Sequence, residues 1–471
     1  VSTGATVAAA GAANAPAAGA CESSVTRGFL ERVARGAVFA LAVQVTGAGL
    51  GYLLQVALAR WMGLSQFGSY TYLMAWATVL ALLAGLGFPL SVLRFIPEYR
   101  ASGDHARLHG LVRTSRRAAL GTGAALAAVA FAVALVLAPS RDAAAIALAF
   151  CLVPAGALIN LDLAVIRAGG RVVGAYAPSL VIRPLVILLA SGGAWLAWGH
   201  LTAGAALAIT LGAFLLVALL QSALVRQLVR AGRRVRAPVY DRRRWFIVSA
   251  PLLLVAGFQI ALGQTDLLLV GAVRGVEEAG LYSAAAKTAT LVGFLLVALN
   301  AVAAPLFAEL NAKGDRAGLQ RLASTCAQWA FWPTVAIAAL LALFAPLVLA
   351  LFGPSFQGAR WALTILLFGQ LVSAGCGAVG YLMSLTGHQN DAARVYGVVS
   401  ILNIPLCYAG VLVFGLNGAA AATALSLIAW NLWLHQLTSR RIGVRASIVS
   451  ALLMKRGRRV PAQAAGEGAS S

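Results

Sequence analysis

Arg183 is the residue whose position most needs a chemical reason. It stands about ten residues into an apolar stretch running from Val173 to Trp198, near mid-depth and too far from the basic side to snorkel easily. A cation held at that depth in a membrane span costs roughly 2.5–3.5 kcal/mol on insertion scales. Two chemistries would repay that cost. The guanidinium can face a polar cleft and clasp a phosphate through its planar fork, or it can pair with a carboxylate on a neighbouring helix, for which Asp162 is the nearest choice. Pro184 follows it and removes a helix hydrogen bond, so a bend is expected there.

Asp266 and Lys287 form a second constellation. Each lies about eight residues from the same short turn, one on the stretch before it and one on the stretch after. Equal depth predicts an ion pair, either structural or serving ion coupling. Arg94, Arg167 and Arg171 fall at the ends of apolar stretches, where a cation draws in an anionic headgroup or anchors its helix to anionic lipid. Gln44, Gln55, Gln259 and Gln264 lie within stretches, as hydrogen-bonding groups for a ligand or as glue between helices.

The elements carrying these residues are membrane helices. With 61% hydrophobic and only 11% charged residues in 471, the composition departs far from the roughly 25% charge of soluble domains. Twelve apolar stretches of spanning length follow one another: 34–59, 68–93, 118–137, 143–166, 173–198 and 203–225, then 246–273, 279–308, 324–352, 361–385, 395–414 and 418–437. Between the two sets lies a connector, Arg226 to Trp245, with eight arginines against the single acid Asp241. The organisation expected is a disordered tail (1–25), a six-helix lobe (26–225), the connector (226–245), a second six-helix lobe (246–437) and a basic tail (438–471).

Nearly all of the 36 Lys and Arg fall in the flanks, the connector and the even-numbered loops, which would put both termini in the cytoplasm. The net charge of +22 is thus an orientation signal, and nucleic acid is not an expected partner. Most tryptophans, Trp245 and Trp430 among them, come near span ends and read as interfacial anchors. The five cysteines are scattered without disulfide or metal-ligand spacing, the histidines are isolated, and there is no nucleotide-binding glycine loop. No metal, cofactor or catalytic residue is expected. Outer loops of about eight residues or fewer leave little room for an enzyme's acceptor site, which disfavours a membrane glycan polymerase.

The two halves repeat one another. GLSQFGSY at 63–70 recurs as GVEEAGLY at 275–282, and EYRASGDHARLHGL at 98–111 recurs as ELNAKGDRAGLQRL at 309–322. Asp104 and Asp315 are placed to cap a helix whose leucines, at the fourth and seventh positions beyond, are expected against the membrane surface. Arg183-Pro184-Leu185 falls opposite Ile404-Pro405-Leu406. With an even number of spans per half, the copies share one orientation about an axis along the membrane normal. The expected fold is therefore an all-α polytopic membrane protein of 12 transmembrane helices, two parallel six-helix bundles around a central cavity.

The runs GSYTYLMAWATVLALLAGLGFPLSVLRFIPEYRASGD at 68–104 and QTDLLLVGAVRGVEEAGLYSAAAKTA at 264–289 resemble the polysaccharide-biosynthesis flippases (Wzx-like) of the multidrug/oligosaccharidyl-lipid/polysaccharide (MOP) exporter superfamily. The resemblance implies a MATE-like fold in a bacterial inner membrane, and movement of an undecaprenyl-pyrophosphate-linked oligosaccharide between leaflets for polysaccharide export. Arg183, Arg94, Arg171, Gln55 and Gln259 would then meet the substrate. Membrane lipids, a polysaccharide polymerase and the export machinery would be its partners. The alternatives within the superfamily are a lipid II-type flippase, which usually has two further spans, and a multidrug or cation antiporter, which would place carboxylates deep in the first half.

Overall fold

The computed structural model describes residues 17–137, 143–230, 237–444 and 447–448. Expectations for residues 1–16, for 231–236 of the connector and for 449–471 of the basic tail lie outside the described residues. Every regular element among the described residues is helical. The first half comprises α1 (Ala17–Ala84), α2 (Phe88–Ala101), α3 (His105–Leu137), α4 (Ala143–Ala168), α5 (Val172–Ala177), α6 (Arg183–Trp198) and α7 (Ala203–Arg230). The second comprises α8 (Arg242–Val273), α9 (Val276–Ala312), α10 (Arg316–Leu343), α11 (Ala345–Ala350), α12 (Arg360–Cys376), α13 (Val379–Leu385) and α14 (Gln389–Arg441). Helices are the form an apolar chain must take in lipid, because each satisfies its own backbone hydrogen bonds.

Nine helical segments among the described residues are long and apolar enough to cross a membrane, where hydropathy counts twelve stretches. Part of the difference is that α1 and α14 each run through two stretches, bending at Gly63 and Gly415 with non-helical backbone. Two expected boundaries shift. Helix α1 begins at Ala17, inside the segment expected to be a disordered tail, because its alanine-rich start favours helix. The connector is shortened from both sides, with Arg230 still in α7 and Arg242 already in α8.

The duplication is written into the backbone. Gly63 (φ 74°, ψ 172°) and Gly275 (φ 97°, ψ 171°) make the same turn, in a region open to glycine and costly for other residues. Gly103 and Gly314 repeat a left-handed turn at φ 70° and 68°. Beside them the Asp104 carboxylate accepts from the Arg107 amide at 2.9 Å, and the Asp315 carboxylate from the Gly318 amide at 2.7 Å. Both are the expected helix caps. The leucines that follow correct the expectation. Leu108, Leu111 and Leu319 are buried in the protein core, so this helix face turns inward and not onto the membrane surface.

The two copies meet near these turns. Gly68 and Gly280, equivalent positions of the repeat, cross in backbone contact. A Cβ on Gly68 would lie 1.9 Å from the Val276 carbonyl oxygen, and one on Gly280 would lie 3.0 Å from the Gly68 Cα. Such a self-complementary contact is what a two-fold relation produces. At this end, remote from the connector, Tyr52 packs on Phe352 and Phe67 on Phe356, both with ring centroids 5.7 Å apart. The Arg60 guanidinium donates to the Leu351 carbonyl at 2.6 Å.

At the connector end, among the described residues, the start of α8 and Val239 just before it are tied to the first half, Val239 donating its amide to the Ala106 carbonyl at 3.1 Å. Ser91 and Ser249 hydroxyls lie 2.7 Å apart, Arg244 donates to Glu98 at 2.8 Å, and the Trp245 indole N–H donates to the Tyr99 hydroxyl at 2.9 Å. Trp245 is fully buried by these contacts, which corrects its reading as a membrane anchor. The core divides accordingly. One apolar cluster fills the first half and continues into the remote end of the second half. A separate cluster, with Phe307, Leu382 and Leu434 among its members, holds the connector end of the second half alone. Gly68→Ala should therefore cost about 1–3 kcal/mol through overpacking. Gly121→Ala, with nothing within 4 Å, should be neutral or gain about 0.5–1 kcal/mol. Unfolding of the purified variants measures both.

Candidate functional site

Arg183 opens α6 directly after a turn of π-helix, Pro178–Ile182. Pro184 has no N–H to give the Leu180 carbonyl, and the Arg183 N–H reaches back to the Pro178 carbonyl. The irregularity expected at Pro184 thus falls on the residues before it. Gly47 of α1 lies flat against this turn, where a Cβ would come within 2.7 Å of the Leu180 Cβ. π turns of this kind re-aim side chains and recur at functional sites.

The side chain is delivered to a cavity of about 420 Å³ inside the first lobe, walled by α1, α4, α6 and α7. Gln55, Tyr70, Asn160, Thr210 and Phe214 line it with Arg183. The guanidinium lies over the Phe214 ring, 5.0 Å from its centroid, a placement favoured by the ring's negative face. Tyr70 and Thr210 hydroxyls share a hydrogen bond of 3.2 Å. The Gln55 Oε1 is buried with no hydrogen-bond partner among the described residues. No carboxylate lines the cavity or pairs with Arg183 among the described residues.

Asp162 does not take the part of that carboxylate. It is fully buried, with its Oδ1 3.4 Å from the Arg116 Nε and its Oδ2 accepting from Ser222 at 3.2 Å. Arg116 also donates to Ser222 at 2.5 Å. The acid of the first lobe is therefore neutralised by α3, and Arg183 is left to the cavity.

In the second lobe Asp266 is buried, and three groups donate to it: the Tyr282 hydroxyl at 2.5 Å, the Thr423 hydroxyl at 3.0 Å and the Leu267 amide at 2.8 Å. No ion pair within 4 Å joins Asp266 to Lys287, contrary to the expectation; these three donors hold the carboxylate, and the Lys287 side chain lies within reach of its charge but apart from it. Tyr282 and Thr423 hydroxyls stand 3.2 Å apart, repeating the Tyr70–Thr210 pair of the first lobe. One duplicated Tyr–Thr pair thus borders a cation in one lobe and a carboxylate in the other. Asp266 adjoins a cavity of about 210 Å³ that shares Thr290, Gln370, Leu427 and Trp430 with a larger one of about 670 Å³. Gln259 lines the larger cavity.

Arg94 and Arg171 are exposed toward the connector end and line none of these cavities. Arg171 donates to Gln227 at 3.5 Å, and Arg167 stacks over Tyr176 at 5.4 Å. Gln44 and Gln264 line none either. Trp430, expected at the membrane surface, is half-buried in the second lobe against Tyr396, with ring centroids 5.1 Å apart. Sequence reasoning also passed over Tyr70, Asn160, Thr210 and Phe214. The tyrosine closing both GLSQFGSY and GVEEAGLY was the available signal for the Tyr–Thr pairs.

Residues 33–311 match the family model described as polysaccharide biosynthesis protein, and residues 251–409 match the MatE model. The fold matches an inward-facing multidrug resistance MATE family transporter of the MOP superfamily at 15% identity, with TM-score 0.64, covering 86% of this chain and 98% of that one. It also matches a MOP superfamily transporter from Pyrococcus furiosus, described as having a binding pocket of reversed polarity, at 15% identity and TM-score 0.60, covering 87% and 96%. No protein in the curated comparison matches the chain. The chain is a helical, multi-pass membrane protein with the fold of these transporters. The family match over more than half its length makes it a member of the polysaccharide biosynthesis protein family.

Because Asp162 is buried, removing its partner should be severe. Arg116→Met is expected to destabilise the protein by about 3–5 kcal/mol. Adding Asp162→Asn should recover most of that loss in the same unfolding assay.

Proposed function

We propose that the protein flips an undecaprenyl-pyrophosphate-linked oligosaccharide from the cytoplasmic to the outer leaflet of a bacterial inner membrane by alternating access, for the export of O-antigen, exopolysaccharide or capsular glycan. One observation carries this reading: Arg183 lines an interior cavity with no carboxylate to neutralise it among the described residues, while Asp162 is held by Arg116. A pyrophosphate crossing hydrocarbon needs such a partner, because an unpaired charge cannot leave water cheaply. Membership of the polysaccharide biosynthesis family supports the glycan part. A cation antiporter would need its carboxylate where this lobe has its arginine.

The basic connector and flanks set the direction, with both termini cytoplasmic by the positive-inside rule. Arg94 and Arg171, exposed toward the connector end, draw the pyrophosphate from the cytoplasmic leaflet. Arg183 receives it, Phe214 holding the guanidinium in place, and the prenyl tail stays in lipid. Gln55 accepts a hydrogen bond from the bound headgroup through its unpartnered Oε1. Parting at the connector end, where the second lobe has its own core, admits the headgroup. Separation of the Gly68–Gly280 crossing releases it on the other side. A polymerase and export machinery then take up the glycan.

A charge-assisted hydrogen bond to phosphate is worth about 1.5–3 kcal/mol, so Arg183→Ala should cut export roughly 10- to 100-fold. Lipid-linked glycan should accumulate on the cytoplasmic leaflet. Arg183→Lys, keeping charge without the fork, should fall between. Export at the wild-type rate by Arg183→Ala would rule the proposal out.

A further inference from the structure

The largest cavity described above lies in the second lobe, occupies about 670 Å³ and is lined by no Asp, Glu, Lys, Arg or His among the described residues. Its walls carry aromatic rings and neutral polar groups. The Trp430 and Tyr396 rings pack against each other at 5.1 Å with a tilt of 49°, and Tyr381 stands 40% exposed. Gln259, Gln370 and Asn431 bring amides. Asn431 is held in place, its amide N–H groups donating to Ser373 at 3.1 Å and to the Leu427 carbonyl at 2.8 Å. The side chains of Gln259, Gln370, Tyr381, Tyr396 and Trp430 make no hydrogen bond among the described residues.

That combination selects a class of ligand. A cavity with no charge on its own walls, beside an Asp266 carboxylate already held by three donors, has nothing to hold a phosphate and little to hold a cation. An apolar ligand would leave its amides and hydroxyls unpaired, at about 1–3 kcal/mol for each buried group. A pyranose ring suits both features, because its C–H face packs on the electron-rich face of an aromatic ring and its hydroxyls both donate and accept. The volume lies within the roughly 300–1,000 Å³ of pockets that enclose a small-molecule ligand.

We infer that this cavity is a binding site for uncharged sugar units. The inference rests on the reading proposed above in one respect, that the sugars belong to the lipid-linked substrate. Labour is then divided between the lobes: the first holds the anion through Arg183, and the second holds the glycan through Trp430, Tyr381 and the amides. Trp430 is a specificity-determining residue, since the ring it presents decides which faces of a sugar can stack.

The test uses the full-length protein in nanodiscs free of glycoside detergent. The probes are methyl β-glucoside, methyl β-galactoside and methyl N-acetyl-β-glucosaminide, followed by saturation-transfer NMR, with inorganic pyrophosphate followed separately by phosphorus NMR. At least one glycoside is expected to bind. Trp430→Ala should weaken it roughly tenfold, Trp430→Phe should retain it, and Arg183→Ala should leave it unchanged. If Trp430→Ala does not fold, Tyr381→Ala takes its place, its exposed ring being dispensable for packing. Absence of transfer from every glycoside, or transfer indifferent to both Trp430→Ala and Tyr381→Ala, would overturn the sugar site. Pyrophosphate binding indifferent to Arg183→Ala would instead overturn the anion reading and leave the sugar site standing.

Discussion

A guanidinium inside an apolar bundle, with no carboxylate against it, has to be met by water or by an anion. That constraint shapes the first lobe. The π turn before Arg183, the close approach of Gly47 to that turn and the Phe214 ring under the guanidinium all hold the charge toward a cavity. The Arg116–Asp162–Ser222 network holds the buried acid of this lobe away from the cavity, whose lining includes no carboxylate among the described residues.

The second lobe shows what the same scaffold does with the opposite charge. Its Tyr282–Thr423 pair repeats Tyr70–Thr210, yet donates to the buried Asp266. Arg183 has Ile404 opposite it in the repeat, and Asp266 falls opposite Leu54, which lines the first cavity. Duplication thus supplied the helices, the glycine turns and the Tyr–Thr pairs twice, and single residues then gave each copy its own charge. The Gly68–Gly280 crossing joins the copies where both chains are bare of side chains. Such a contact permits close backbone approach, and the Tyr52–Phe352 and Phe67–Phe356 pairs pack across the same end.

Much of this was legible in the residues because it depends on local rules. Glycine at the repeated turns, aspartate at the repeated caps and charge on the connector each act within a few positions of their own place in the chain. Depth in the membrane was also readable, since it follows from counting along a helix. Which way a residue faces was not. Helices apolar on every side give no stripe to mark the inward face. Position near a span end therefore reads Trp430 as a surface anchor, and depth alone matches Lys287 to Asp266. Arg116 reads as an orientation charge near a helix end, because nothing local shows that α7 brings Ser222 alongside Asp162.

The central claim, that the unpaired Arg183 makes this an exporter of an anionic lipid-linked headgroup, is tested most directly in proteoliposomes. Purified protein would be given a fluorescent short-chain polyprenyl-pyrophosphate-linked sugar, and in parallel a lipophilic quaternary ammonium dye, with transfer between leaflets read by an impermeant quencher. The account predicts protein-dependent movement of the pyrophosphate-linked sugar, lost in Arg183→Ala, and none of the dye. Movement of the dye alone, or of the sugar lipid at equal rates with and without Arg183, would contradict it.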